Sequence, residues 1–249
     1  MSFLNYHKKE YNKKGFTVAR GLFSKNEIKK LILELNIIKQ KVKRKKNNQF
    51  FHMTKDGKIN TIHNIQRYHK KGPIIDIPKN KNLKRIISKL LNDKPIVRNI
   101  EFFLKPKKTG MPSPFHQDNF YWNIISAKAL NVWIACSKAN KKNGGVCYLE
   151  SSHFLGTLNH ESSTSKGSSQ KITNKILNKL LFKKKFPNLN PGDCIIHHPE
   201  VIHGSKKNTS DIDRVGFVVS FQGKNSKVDI ERQRIYQKNL KKFLKKIYS

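Results

Sequence analysis

From Pro95 onward the chain alternates between short β-rich runs and turn signals, and that rhythm limits the folds open to it. Val97, Ile100, Phe102 and Leu104 sit among polar residues at strand-like spacing. The run 129–136 (ALNVWIAC) is almost wholly apolar and reads as a buried strand. Segments 146–149, 193–198 and 215–221 have the same character. Asn143-Gly144-Gly145, Pro191-Gly192-Asp193 and Gly204 separate them as turns. Many short strands in succession favour antiparallel sheets packed as a sandwich or barrel over alternating βαβ units.

The N-terminal half reads differently. Residues 15–21 (GFTVARG) form a short extended segment closed by glycine. Ser24 and Glu27 then stand at capping-box spacing, where the serine bonds the amide three residues on and the glutamate reaches back. Ile28, Leu31, Ile32, Leu35 and Ile38 follow at helical spacing, which predicts a helix over about 25–40. The lysine-rich run 39–48 breaks that pattern and is expected to be solvated. Leu83, Ile86, Ile87, Leu90 and Leu91 share one face and predict a second helix. Segment 49–80 carries no clear pattern. Residues 159–190 interrupt the strands with a Ser/Lys-rich stretch and a short predicted helix at 172–182, and an insertion this long is usually a functional loop or lid. Segment 227–249 is basic and helical in character. The expected class is α+β with a mainly β core, in a single domain spanning 1–249.

Composition narrows the setting. The formal net charge is +36, yet only eight of the 52 basic residues are arginine. Nucleic-acid sites lean on arginine for its planar fork. A lysine excess accompanied by abundant Asn and Ile, with sparse Ala, Gly and Pro, reads instead as a codon bias spread over the surface. A nucleic-acid partner is therefore not expected. No stretch approaches the roughly 18 uninterrupted apolar residues of a spanning helix, and the N-terminal residues lack a secretory pattern. A cytoplasmic protein is the expectation. Cys136, Cys147 and Cys194 are odd in number and widely spaced, which suits buried free thiols rather than disulfides or a zinc site.

The chemistry is carried by Pro114-Phe115-His116-Gln117-Asp118. Side chains on a strand alternate faces, so an imidazole at 116 and a carboxylate at 118 point the same way while Gln117 faces away. The candidate third ligand is His203, just past a β-rich run. Two histidines and one carboxylate on one face of a ferrous ion leave three positions for a bidentate oxoacid and dioxygen. Arg214 is the only arginine between Arg98 and Arg232. A chain that otherwise uses lysine has kept a guanidinium there, which fits a bidentate grip on a carboxylate. The Ser205 hydroxyl can donate to the same carboxylate.

Taken in order, these residues resemble the phytanoyl-CoA dioxygenase-like family of iron(II)/2-oxoglutarate oxygenases. The likeness runs over roughly 11–222. It includes Tyr11, Gly15-Phe16, Arg20-Gly21-Leu22-Phe23-Ser24, His116-Gln117-Asp118, Tyr121-Trp122, Val132-Trp133-Ile134-Ala135, Asn143-Gly144-Gly145, Ser152-His153, Gly192-Asp193, His203-Gly204-Ser205 and Arg214. The resemblance implies a double-stranded β-helix (jelly-roll, cupin-like) barrel with supporting N-terminal helices. It implies Fe(2+) held by His116, Asp118 and His203, with 2-oxoglutarate bound by Arg214 and Ser205. It also implies hydroxylation of a small organic substrate by O2, with 2-oxoglutarate decarboxylated to succinate and CO2. Where the family usually has Pro-Gly before Ser-His, this chain has Glu150-Ser151.

Around that set, Asn131 is placed facing the barrel interior, in reach of the cosubstrate. Phe120, Tyr121 and Trp122 are candidates for the substrate pocket, with core packing the competing role. Trp133 is expected in the core, His153 in a turn, and His197 and His198 as strand residues near the metal. His160 is a candidate pocket cover. Lys105 is expected to be a solvated surface lysine, with a place facing the cosubstrate from its strand as the competing role. The competing functions are a catalytically silent binding barrel and a basic nucleic-acid-associated oxygenase; the complete ligand set with Arg214 argues against the first. Substrate identity and oligomeric state carry no signal in the sequence.

Overall fold

The computed structural model describes residues 2–43, 51–165 and 168–248. The N-terminal part contains α1 (Phe3–Lys14), β1 (Phe16–Ala19), α2 (Lys25–Lys43), β2 (Phe51–Met53), β3 (Ile59–Ile62), α3 (Pro73–Asp76) and α4 (Lys81–Leu91). Then come β4 (Pro95–Lys105), β5 (Ser113–His116), α5 (Asn119–Trp122), β6 (Ala129–Ala135), β7 (Cys147–Leu149), β8 (His160–Ser162) and β9 (Gln170–Ile172). The chain ends with α6 (Asn174–Leu177), β10 (Lys184–Lys185), β11 (Cys194–His197), β12 (His203–Ser205), β13 (Arg214–Gly223) and α7 (Ile230–Tyr248).

Mixed helix and antiparallel sheet result. A seven-stranded sheet runs β1-β11-β6-β13-β4-β3-β2, and a four-stranded sheet runs β10-β7-β12-β5. Alternation along β6 sets the two sides of the larger sheet. Leu130, Val132 and Ile134 pack with Leu31, Leu35 and Ile38 of α2 and with Leu83, Ile86 and Ile87 of α4. Trp133 and Ala135 instead pack with Tyr148 of β7 and Ile195 of β11, joining the two sheets. Phe16 stacks on Tyr148 across the same interface at 4.6 Å between ring centroids.

The predicted capping box starts α2: the Ser24 amide donates to Glu27 Oε2 (2.7 Å), and the Glu27 amide donates to Ser24 Oγ (3.2 Å). The helix runs on to Lys43 and buries Val42, so the first part of the lysine-rich run is helical rather than a solvated break. Residues 44–48 of that run lie outside the described residues. Segment 49–80 supplies the β2–β3 hairpin that extends the large sheet beyond β4. Within 172–182 only Asn174–Leu177 is α-helical. The apolar residues there, Ile176, Leu177, Leu180 and Phe182, pack with Ile172 on Phe115 and Leu149, covering the outer face of the small sheet. That packing accounts for their spacing without a long helix.

Ser151, where the resemblance led to glycine, holds a left-handed backbone (φ 70°) and ties its hydroxyl to the Lys13 carbonyl (2.9 Å). All three cysteines are buried free thiols. Among the described residues no helix is long and apolar enough to cross a membrane. Leu35 is 1% exposed between α2 and the sheet. Leu35→Ala is expected to lower the unfolding free energy by about 2–5 kcal/mol in urea titrations, the usual cost of such a core truncation.

Candidate metal centre

Each sheet contributes one row of side chains to the site. In the small sheet Tyr148, His203 and His116 lie side by side on β7, β12 and β5. In the large sheet His197, Asn131 and Ser220 lie side by side on β11, β6 and β13. Asp118 stands between the rows. It is not on a strand, as the alternation argument had it. β5 ends at His116, and Asp118 opens the short helix α5 with helical backbone (φ −64°, ψ −35°). The turn still brings its carboxylate to the histidines. Gln117 faces away and is fully used, donating to the carbonyls of Gly156 (2.7 Å) and Glu200 (2.6 Å) and accepting from the Leu158 amide (2.7 Å).

The His116 and His203 Nε2 atoms lie 3.9 and 3.8 Å from Asp118 Oδ1. That is too far for hydrogen bonds and leaves room for one cation among the three. Both imidazoles have the tautomer a metal needs. Nδ1–H donates to a backbone carbonyl two residues back, Pro114 for His116 (2.8 Å) and Val201 for His203 (3.0 Å), which leaves the Nε2 lone pairs facing Oδ1. Burial pushes both imidazoles down to about 4, so they are neutral donors at neutral pH. Burial alone would push the Asp118 carboxyl up; the facing His203 and the hydrogen bond to His197 outweigh it and hold the group below its usual range. Two neutral imidazoles and an ionised carboxylate fit a hard-to-borderline divalent ion.

On the other oxygen, Asp118 Oδ2 accepts from Asn131 Nδ2 (2.8 Å) and faces His197 Nε2 (3.0 Å). Asn131 Oδ1 in turn accepts from the Ser220 hydroxyl (2.9 Å), and His197 Nδ1 meets the Tyr148 hydroxyl (3.0 Å). The structure therefore places the Asn131 amide on the Asp118 carboxylate, where the sequence reading had it facing the barrel interior in reach of the cosubstrate. His197, read from sequence as a strand residue, also makes a direct contact with Asp118. The local signal available was the strand alternation that puts His197 and Ile195 on one face of β11.

Arg214 is buried at the start of β13, with its guanidinium carbon 5.3 Å above the Trp133 ring. Its Nε has no hydrogen-bond partner, and burial pushes the group down to about 9, still protonated at neutral pH. Directly opposite on β4 stands Lys105, which is also buried and not on the surface as expected. Its Nζ donates to the Lys206 carbonyl; burial and then the Arg214 charge push it well below its usual value. No carboxylate pairs with either cation among the described residues. Ser205 is half-buried at the end of β12, opposite Ser113.

Aromatic rings surround the His116 side. Tyr121 lies 6.0 Å from the His116 ring, and its hydroxyl bonds Ser168 Oγ (2.6 Å) in the 159–190 insertion. Phe120 stacks on His160 at 4.2 Å, and Tyr236 of α7 packs edge-on against both Phe120 and Tyr121. Trp122 belongs to a separate core cluster with Ile124 and Ala129. His160 Nε2 accepts from the Gln117 amide (2.9 Å). His153 ties its turn to α1 through the Asn12 carbonyl (3.0 Å). A separate cleft of about 670 Å³ is lined by Tyr11, His153, His198 and Glu200 and contains none of the three candidate ligands.

Residues 11–216 match the family model described as phytanoyl-CoA dioxygenase. A zebrafish (Danio rerio) protein, phytanoyl-CoA dioxygenase domain-containing protein 1, is 25% identical over 122 residues, covering 48% of this chain and 42% of that protein. The chain thus spans less than half the length of that relative. Among solved structures, the non-haem α-ketoglutarate-dependent carbocyclase SnoK of nogalamycin biosynthesis has a TM-score of 0.73 at 15% identity, over 92% of this chain and 86% of that one. The α-ketoglutarate-dependent epimerase SnoN of the same biosynthesis scores 0.71 at 16% identity, over 90% and 82%. EctD from S. alaskensis scores 0.71 at 16% identity, over 90% and 77%. At these identities the structural matches show a common fold.

His116, His160 and His203 are held down at about 4, and His198 at about 3, in each case chiefly by burial. The unfolded chain protonates histidine near pH 6.5. Between that value and the folded ones, unfolding takes up protons, so stability falls as pH falls. His63 has the opposite sign: burial pushes it down, but Glu101 outweighs this and raises it. The lowered group is larger. The urea midpoint of the metal-free protein is expected to drop from pH 7 to pH 5, and a flat profile over that window would contradict these buried neutral imidazoles.

Proposed function

The chain belongs to the phytanoyl-CoA dioxygenase family, and on that premise we propose that it is a hydroxylase of a small organic molecule in which His116, Asp118 and His203 hold ferrous iron. The observation that carries this reading is the convergence of two Nδ1-tethered imidazoles on a carboxylate oxygen they do not hydrogen-bond. The two facing sheets, joined through Trp133, Tyr148 and Phe16, support a jelly-roll barrel in a single domain.

When bound, iron(II) with 2-oxoglutarate and dioxygen supplies the oxidant, as 2-oxoglutarate is split to succinate and CO2. The chain's own residues do the positioning. Arg214 is a buried guanidinium with no carboxylate partner among the described residues, and a dianionic oxoacid would bring the missing countercharge. Ser205 is assigned to the same carboxylate, and Lys105, opposite Arg214 in register, adds a second basic side chain to that end. Gly216 lets the Trp133 ring lie flat beside β13: a Cβ there would come within 2.2 Å of the indole. That places Trp133 beneath the Arg214 guanidinium and keeps water from it. Phe120, Tyr121 and Tyr236 screen the His116 side from solvent and are the proposed walls of the substrate pocket.

Two measurements test this. Protein loaded with iron under ascorbate is expected to release succinate from 2-oxoglutarate, with Asp118→Ala and His203→Ala reduced to the metal-free background. Succinate formation that survives both changes would refute the ligand assignment. For Arg214→Lys, the 2-oxoglutarate KM is expected to rise about 10- to 100-fold, the equivalent of a charged hydrogen-bonded pair, because an ammonium cannot reproduce the fork. An unchanged KM would place the oxoacid elsewhere.

A further inference from the structure

Asp118 is held from behind by two short hydrogen-bonded chains that both start in the protein core. In one, the Ser220 hydroxyl donates to Asn131 Oδ1 (2.9 Å), which fixes the amide so that Nδ2 donates to Asp118 Oδ2 (2.8 Å). In the other, the Tyr148 hydroxyl lies 3.0 Å from His197 Nδ1, and His197 Nε2 lies 3.0 Å from the same Oδ2. A phenol donating to Nδ1 leaves the proton on Nε2, where it points at the carboxylate; the other tautomer would face a lone pair to a lone pair. All four side chains are buried. His197, Asn131 and Ser220 are neighbours in register on three adjacent strands, so the spacing of the donors is set by the sheet.

A carboxylate oxygen has two lone-pair directions. Oδ2 has both filled. Oδ1 makes no hydrogen bond among the described residues and faces the two Nε2 atoms. We propose that His197, backed by Tyr148, is a positioning residue that acts with Asn131 to leave Asp118 a single oxygen for the metal. It rests on the reading of His116, Asp118 and His203 as the ligands. The clamp has a functional consequence. A carboxylate free to turn would present both oxygens to the ion and occupy a position that the oxoacid or dioxygen needs. Fixing Oδ2 to the large sheet keeps that position open.

Cobalt(II), titrated into the metal-free full-length protein, is the probe, read by calorimetry and by its ligand-field absorption. His197→Phe keeps the ring and removes the donor; its cobalt Kd is expected to rise about 10- to 100-fold, the usual loss when a ligand's supporting partner goes, with a shift in the absorption bands. His197→Gln, whose amide can donate to Oδ2, is expected to recover most of the affinity and the wild-type bands. Tyr148→Phe removes one buried oxygen and is expected to shift both readouts in the same direction by less, and it decides the matter if His197→Phe does not fold. Wild-type affinity and bands in both folded phenylalanine variants overturn the proposal, as does a His197→Gln protein no better than His197→Phe. If the wild-type protein takes up no cobalt, the ligand assignment itself is wrong, which is distinct from intact uptake that ignores position 197.

Discussion

A buried carboxylate is costly unless its charge and lone pairs are met, and Asp118 has one oxygen bonded by the large sheet while the other faces the small sheet unbonded. His116 and His203 come from paired strands of the small sheet, and His197 and Asn131 from paired strands of the large one. The same contacts that satisfy the charge fix the distance between the sheets at this level. Phe16 stacked on Tyr148, and Tyr148 bonded to His197, carry the packing of the interface directly into the site. Site geometry and sheet packing are thus one constraint rather than two.

The opposite arrangement holds around Arg214 and Lys105. There two basic side chains are buried side by side on β13 and β4, and among the described residues no acid pairs with either. An arrangement of this kind lowers the stability of the protein alone, and it makes sense when an anion completes it. The two halves of the site are therefore complementary. On the proposed reading, the Asp118 end of the site takes a cation and the Arg214 end takes an anion.

Access is shaped by parts of the chain that lie outside the sheets. Residues 123–125 pair with 227–229, the Ile125 amide donating to Lys227 and the Asp229 amide to Asn123. That zipper seats α7 so that Tyr236 rests on Phe120 and Tyr121, just after Asp118. The 159–190 insertion does two jobs. Its apolar side chains seal the back of the small sheet, and Ser168 anchors the Tyr121 hydroxyl. The basic C-terminal segment and the insertion, which carry no recognisable code, thus end up around the chemistry.

How much of this was legible beforehand follows from physical range. Period-2 and period-3.6 patterns report which face of an element is apolar, so the α2 and α4 helices, the buried β6 strand and the capping box at Ser24 could be read locally. The candidate ligands His116, Asp118 and His203, and Arg214 with them, stood out because their types and order match a chemistry. What could not be read was anything set by strand register. Lys105 looks like one more lysine in a lysine-rich chain until β13 places it opposite Arg214. His197 looks like a strand residue until β11 sets it beside Asn131. Local pattern along the chain sets the kinds of groups available and the faces on which they sit. Which of them meet depends on how the strands pair and the sheets pack, because hydrogen bonds and buried charges act over a few ångströms.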